Sequence, residues 1–549
     1  MILNGQERSL DMNVNIKAAA AFYTSAGIKA DSVQSPKLAK YTSKLSENTY
    51  DLYVSSRYVP AGVSVRIPVD TDINDTVFMN GFQSSTESRE RGIVARMTTA
   101  STVSEFVHQK KSQKTDGDSD LVPYKNKPGV THGFSYCYFR RGNTVKLFAS
   151  LDESTGYTVF KYDAWSGILK ISKDITGVQK FDNYHAMSLF FAEGKEEDVF
   201  NAWFSRLEKS ENAPAEKLVG YSTSKLEAIN EDVICKKIEN MSAFPVHANV
   251  FFVEGEYCVE GDWLRYNRRT FPIGLREISD LIKEKEMYSG IALSPFTADE
   301  KSKVFLEHAD WMLRMKDGRF CKTKDDKYIL DSTNPRVREY VREVLHTILF
   351  MWGFDIVKLN NLYAAGVLPP DGKSRGEVMC DAMRFLRECC GGKLMYASDV
   401  PLMPAFGIAD YCSISCDAVS DNMPNILYSK KFYRESASVK NASADIVFRR
   451  MLDGRAFLSA PCELSLYDKD FFLDGNLNHA EQNVLTTLAG LFSSALIITD
   501  DVTKYSQKQK RRLKKMCSLH SATEVAVRRV PSGYVVGYRY AGKSYIIKF

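Results

Sequence analysis

The 549-residue chain lacks any run of about 18 apolar residues, so no membrane-spanning helix is expected. Its first residues, MILNGQERSLDMNV, lack the basic start and apolar stretch of a secretory signal. Histidine is sparse, at 8, and no Cys/His cluster has the spacing of a zinc site. Neither common Gly-rich phosphate loop occurs, so no nucleotide cofactor and no metal are expected. Charge of one sign does not dominate: 73 basic residues against 68 acidic ones leave +5. The one basic run, Lys508 to Lys515, falls in a helical pattern and reads as a solvated face rather than a nucleic-acid contact. The 11 cysteines are odd in number and irregularly spaced, and the neighbours Cys389 and Cys390 cannot easily bridge each other. This favours reduced thiols and a cytoplasmic location.

What is present is ordinary for a globular protein with a large core: 44% hydrophobic and 26% charged residues. The length suggests roughly three domains. Up to about Leu207 the chain is β-rich. Ser64–Val69, Phe134–Phe139 and Thr144–Ala149 cluster β-formers between Gly, Asn and Asp turns, which fits a sandwich. The polar stretch Lys110–Asn126 reads as a surface loop. A helical segment, Glu197–Glu208, leads to the polar linker Ser210–Pro214.

Beyond the linker, short apolar runs alternate with amphipathic helical patterns, the signature of parallel βα units. Eight candidate strands follow: Val219–Ser222, Val250–Glu254, Gly290–Ser294, Ile356–Asn360, Leu394–Ala397, Tyr411–Cys416, Ala456–Ser459 and Leu496–Thr499. Helices are expected over Arg336–Leu349, Glu377–Cys389 and His479–Leu491, with Asn334-Pro335 placed to start the first. The helix after Met403 is short or missing. The tail from Glu524 returns to β patterning. The expected architecture is an N-terminal β-sandwich with a helical linker (1–212), a central (β/α)8 barrel (213–517) and a small C-terminal β domain (518–549).

Working residues of such a barrel lie at the C-terminal ends of its strands. Those ends read Glu254-Gly255-Glu256-Tyr257, Ser294-Pro295-Phe296, Lys358-Leu359-Asn360-Asn361, Ser398-Asp399, Cys416-Asp417 and Asp500-Asp501. Several carboxylates thus aim at one face, and glycoside hydrolysis needs two across one bond. Strand-end acids are also common helix caps, the favoured reading for Asp500 and Asp501.

Several motifs together resemble the clan that contains the α-galactosidases of glycoside hydrolase family 36. Glu307-His308-Ala309-Asp310-Trp311 resembles the family's "EHPDW", and Leu330–Pro335 with Val337–Tyr340 resembles "LDLTNPEVREY". Trp352–Gly366 resembles "WGFDFLKLDFLYAG", while Ser289–Phe296 and Pro401–Asp410 resemble its "GIW.APF" and "APL.PA.G..D" segments. The likeness covers roughly residues 215–517. It implies the same three-part fold and a saccharide ligand, and it allows a homo-oligomer. Carried over by position, it places the acid/base at Asp417 and the nucleophile at Asn360, which is an amide here. Lys358 is kept. The paired aspartates that grip sugar hydroxyls are Glu254 and Gly255, the tryptophan is Ala292, the arginine is Ser413, and the "NDPD" segment reads Ser459-Ala460-Pro461-Cys462.

An amide is a far weaker nucleophile than a carboxylate, so standard retaining hydrolysis should be nearly abolished. Three readings follow. Another carboxylate, Asp399 or Glu254, stands in opposite Asp417. Alternatively the barrel binds a saccharide without cleaving it, or has a scaffold or regulatory role. In the third, the fold hosts a different sugar reaction. Tyr257, Trp263 and Tyr363 are aromatic candidates for stacking on a sugar ring, with loop packing as the other use of Trp263 and Tyr363.

Overall fold

The computed structural model describes residues 12, 14–97, 121–123, 125–207, 215–418, 434, 437–467, 477–531 and 533–549. The linker 210–214 and most of the loop 110–126 lie outside these residues.

Two antiparallel sheets form the N-terminal part. One has six strands, in the spatial order Gly27–Ser32, Lys17–Thr24, Pro60–Pro68, Ile168–Lys173, Thr158–Asp163 and Val130–Phe134. The other has seven, in the order Lys40–Leu45, Thr49–Ser56, Phe181–Lys195, Thr144–Ser150, Tyr136–Arg141, Thr76–Met79 and Arg89–Gly92. Along Thr49–Ser56 every second residue is buried, as a half-solvated strand requires. Inward residues of both sheets, among them Phe22, Val65, Phe160, Leu52, Phe139 and Phe148, share one core. The continuous strand expected over Phe134–Phe139 is broken: Ser135 takes a left-handed φ of 64°, and the chain passes from the first sheet to the second.

Eight parallel strands then form a barrel: Leu218–Ser222, Val250–Val253, Tyr288–Leu293, Ile356–Leu359, Leu394–Ala397, Tyr411–Ser413, Leu458–Ala460 and Ala495–Ile498. Strands one to seven pair in chain order, and strand eight pairs with strand one. Strands seven and eight meet through Ser494 N–H on Ser459 O at 2.9 Å and a parallel bridge between Leu464 and Ile498. Gly290 of strand three is a glycine for space, because a Cβ there would meet the Phe252 ring at 2.4 Å.

The helix Pro335–His346 begins as its sequence requires, with Pro335 in the first turn and Asn334 Oδ1 accepting from Arg336 N–H at 3.0 Å. Arg375–Cys390 and His479–Phe492 each start on a reciprocal capping box, from Ser374 with Glu377 and from Asn478 with Glu481. Between strands five and six there is a single short turn, Met403–Ala405, where the sequence has room for no more. The basic run lies on the helix Gln507–Ser518, which buries Leu513 and Met516. Three strands, Thr523–Val530, Gly533–Tyr540 and Lys543–Lys548, form the C-terminal sheet. Among the described residues no helix is long and apolar enough to cross a membrane.

The sandwich is joined to the barrel by buried arginines. Arg449, fully buried, donates to the carbonyls of Gln83 at 3.0 Å, Thr86 at 3.0 Å, Ile414 at 2.7 Å, and Ser84, and to Asn80 Oδ1 at 3.0 Å. Arg434 donates to Glu87 O at 2.6 Å, His132 O at 2.9 Å and Met79 O at 2.5 Å. These contacts fix the loop after Thr76–Met79 against the strand ends of the barrel.

Candidate active site

A cavity of about 420 Å³ opens at the C-terminal ends of the strands. Seven strands contribute to its lining: Ser224 and Lys225 follow strand one, Glu254 strand two and Ser294 strand three, Lys358 to Asn361 come from strand four, Tyr396 to Asp399 from strand five, Ser413 to Asp417 from strand six, and Glu463 from strand seven. Gln83 and Ser85 of the sandwich and Asp325 complete the wall. Such volumes suit small ligands.

At its floor, Lys358 and Asn360 project inward because side chains alternate along strand four. Lys358 Nζ lies 2.8 Å from Glu254 Oε2 and 2.9 Å from Glu463 Oε1. Asn360 Nδ2 donates to Glu254 Oε1 at 3.1 Å, and Ser222 Oγ to Glu254 Oε2 at 3.3 Å. Ser224 Oγ donates to Glu463. Burial alone would pull Lys358 down, but Glu254 and Glu463 hold it well above its ordinary value. Burial would raise Glu463, yet Lys358, the Ser224 hydroxyl and Lys225 hold it at about 2. Burial raises Glu254 against the pull of Lys358, and Glu463 adds to the rise. The floor therefore carries two carboxylates around one ammonium, and Glu254 is the one that takes a proton more readily.

Asp417 stands nearer the mouth, 71% exposed at its side chain and 4.0 Å from Lys225 Nζ. Asp417 holds Lys225 above its usual range, against burial. Two neighbouring strand exits use left-handed backbone: Asn361 at φ 53° and Asp399 at φ 49°. Asn and Asp tolerate that region better than other side chains. Asp399 O accepts from Tyr363 N–H at 2.8 Å, so the two exits brace each other. Ser413 Oγ reaches the hydroxyls of Ser398 and Tyr396, each at 3.3 Å.

Of the residues singled out in the sequence, Asp417, Asn360, Asp399, Glu254, Lys358 and Tyr363 line this one cavity. Tyr257 and Trp263 lie outside the lining. Tyr257 is fully buried, with its hydroxyl on Ala292 O at 2.9 Å, and Trp263 packs on it with ring centroids 5.9 Å apart. Gly255 adopts a φ of 135°, which L side chains rarely reach, so the backbone after strand two excludes a carboxylate there. Asp501 caps the turn Val502–Lys504. Asp500 pins a neighbouring loop through Tyr467 N–H at 3.0 Å and Ser465 Oγ at 2.7 Å. Glu463 was not singled out in the sequence. It stands one residue past the segment compared at strand seven, and reading that strand end one residue further would have found it. Lys225, Asp325, Gln83 and Ser85 carry no motif and meet the site only through the fold.

The melibiase family matches residues 254–365, from the end of strand two through the turn after strand four. Among solved structures, the α-galactosidase TtGalA of Thermus thermophilus, in complex with p-nitrophenyl α-D-galactopyranoside, aligns over 92% of this chain and 98% of its own, at 21% identity and a TM-score of 0.68. The same enzyme in complex with stachyose aligns over 87% and 99%, at 20% identity and a TM-score of 0.66. The family 36 α-galactosidase AgaA of Geobacillus stearothermophilus aligns over 94% of this chain and 78% of its own, at 12% identity and a TM-score of 0.60. The chain therefore shares the fold of these α-galactosidases, and its residues 254–365 match the melibiase family.

Proposed function

We propose that the protein binds α-linked galactosides or related saccharides in the strand-end cavity and does not hydrolyse them by the retaining route. The observation that carries this reading is the state of residue 360. A retaining glycosidase needs a carboxylate there to form the glycosyl-enzyme bond. Here an amide occupies the position, and it is bonded to Glu254, which is itself held by Lys358. In this reading Lys358, Asn360, Ser398 and Ser413 supply hydrogen bonds to sugar hydroxyls, Tyr363 lines one wall, and Asp417 contacts the glycosidic oxygen.

The test pairs binding with turnover. Stachyose and melibiose should bind with a Kd between about 10 μM and 10 mM by calorimetry. Turnover of p-nitrophenyl α-D-galactopyranoside should stay near background. Rapid hydrolysis with retained configuration overturns the reading, as does the absence of saccharide binding. A second reading, hydrolysis with Glu254 or Asp399 standing in opposite Asp417, is favoured by the presence of all three carboxylates in the lining of one cavity. It requires that Glu254→Gln or Asp399→Asn abolish any activity found.

A further inference from the structure

The outer face of the six-stranded sheet carries a row of cations. Lys17 stands opposite Arg66, Arg66 opposite Lys170, and Lys170 opposite Lys161, on four adjacent strands. Their chain neighbours Ala18, Val65, Leu169 and Phe160 are buried, so all four side chains leave the sheet on its other face. Adjacent strands lie about 4.8 Å apart, so the row spans about 14 Å. Like charges directly opposite each other destabilise a sheet. Among the described residues no acidic side chain pairs with any of the four. Asp163, two residues along from Lys161, accepts from Trp165 N–H at 3.0 Å. It does not offset the rest, because burial, Lys125 and Lys170 hold Lys161 below its ordinary value.

The same face is hollow beside that row. A trough of about 720 Å³ is lined by Arg66 and Lys170 and by the small residues Ala19, Ala21, Gly62, Ser64 and Ser172. These small residues occupy the next two rows along the strands, Ala19 opposite Ser64, Ser64 opposite Ser172, and Ala21 opposite Gly62. A Cβ at Gly62 would meet nothing within 4 Å, so the space above it is open. The loop 174–178 and two exposed residues, Tyr23 and Val59, complete the lining. Asp174, the acid of that loop, is committed to Arg375 at 2.7 Å.

We propose that this face binds a linear acidic polysaccharide, a chain that repeats a carboxylate or sulfate along its length. A row of uncompensated cations is complementary to a row of anions, and the repulsion within it is relieved when the anions arrive. The hydroxyls of Ser64 and Ser172 suit sugar hydroxyls. The methyl groups of Ala19 and Ala21 and the ring of Tyr23 suit the C–H faces of sugar rings. A bilayer surface fits less well, because the floor is recessed and its residues are small. Single-stranded nucleic acid binds on several stacking rings, and Tyr23 is the one aromatic residue in the lining among the described residues. The trough shares no lining residue with the strand-end cavity.

The experiment is calorimetry on the full chain with an oligomannuronate, the neutral mannan oligosaccharide of the same length, and oligothymidylate. The oligomannuronate should bind at least about tenfold more tightly than the other two, and less tightly as salt rises from about 50 to 500 mM. The double variant Arg66→Gln/Lys170→Gln should weaken it at least about tenfold. Both residues are exposed and repel each other, so this variant should fold at least as well as the parent. Ser172→Trp keeps the cations and fills the floor, and should weaken binding at least about fivefold. Lys40→Gln/Lys44→Gln removes the same charge from the other sheet and should change nothing. Stachyose affinity should be unchanged in all three, which separates this face from the strand-end cavity. No oligomannuronate binding at about 1 mM, equal affinity for the neutral chain or for oligothymidylate, unchanged affinity in either trough variant, or an equal loss in the Lys40/Lys44 variant overturns the proposal.

Discussion

Lys358 Nζ lies 2.8 Å from Glu254 Oε2, and the same carboxylate receives Asn360 Nδ2 at 3.1 Å on its other oxygen. The amide of Asn360 thus lines the cavity and is at the same time tied into this hydrogen-bonded set. Lys358 also holds Glu463 at 2.9 Å, so one ammonium compensates two buried carboxylates. Lys358→Met should therefore destabilise the fold by about 3–5 kcal/mol at pH 7, the usual effect of stranding buried charge. The loss should shrink near pH 4, where the stranded carboxylates take up protons. Urea denaturation at the two pH values measures both, and an equal loss at each would contradict this account.

Asn360→Asp changes the same set in the opposite sense. The donor to Glu254 becomes an acceptor, and two carboxylates then stand at hydrogen-bond distance, so a cost of about 1–3 kcal/mol is expected at neutral pH. The substitution also returns a carboxylate to strand four. Hydrolysis of p-nitrophenyl α-D-galactopyranoside should rise above the parent by about tenfold or more, with retention of configuration. A rate equal to the parent's would place the block elsewhere, among the other departures from the family pattern at Gly255, Ala292 and Ser413, of which Ser413 lines the cavity.

The barrel was legible because each strand is an apolar run with β-formers, and because Asn334-Pro335 announces a helix start in the sequence itself. The strand-end rule located Glu254, Lys358, Asn360, Asp399 and Asp417 in one cavity. It misplaced Tyr257 and Trp263, because proximity to a strand end does not fix which way an aromatic turns. The Tyr257 hydroxyl turns to Ala292 O instead, and only the fold brings those two residues together. Gln83 and Ser85 were illegible for the same reason: they reach the cavity through a loop of another domain, held by Arg449 more than 360 residues away. Ser135 was missed because a single left-handed residue inside an unbroken β-former run leaves no compositional mark.

Glu153 gives a pH dependence in the sandwich. It is buried, and burial pushes its carboxyl up to about 7 against the pull of Lys173 and the Thr158 N–H at 3.1 Å. The folded form therefore holds a proton that the unfolded chain, with an ordinary value near 4.5, releases. The contribution is fully present below about pH 4.5 and is lost as the pH rises towards 7, a change of about 3 kcal/mol at most. Glu153→Gln should flatten stability against pH between about 5 and 7, as read from denaturation midpoints. A slope identical to the parent's would remove Glu153 from this role.

Arg449 tests the link between sandwich and site. Its guanidinium serves four carbonyls and Asn80, and Asp445 stands 3.9 Å away, with burial driving that carboxyl well above its usual range. Arg449→Met fills similar volume but leaves those acceptors unmet in a buried place, so a loss of more than about 4 kcal/mol is expected. Arg449→Lys keeps the charge and fewer of the bonds, and should fold with a smaller loss. Because the carbonyls of Gln83 and Ser84 are among those released, the wall formed by Gln83 and Ser85 should loosen. Stachyose affinity in the folded Arg449→Lys protein should then fall, by about three- to tenfold, while Tyr257→Phe, which touches no lining group, should leave that affinity unchanged. Equal affinities in the parent and in Arg449→Lys would mean that the sandwich wall takes no part in binding.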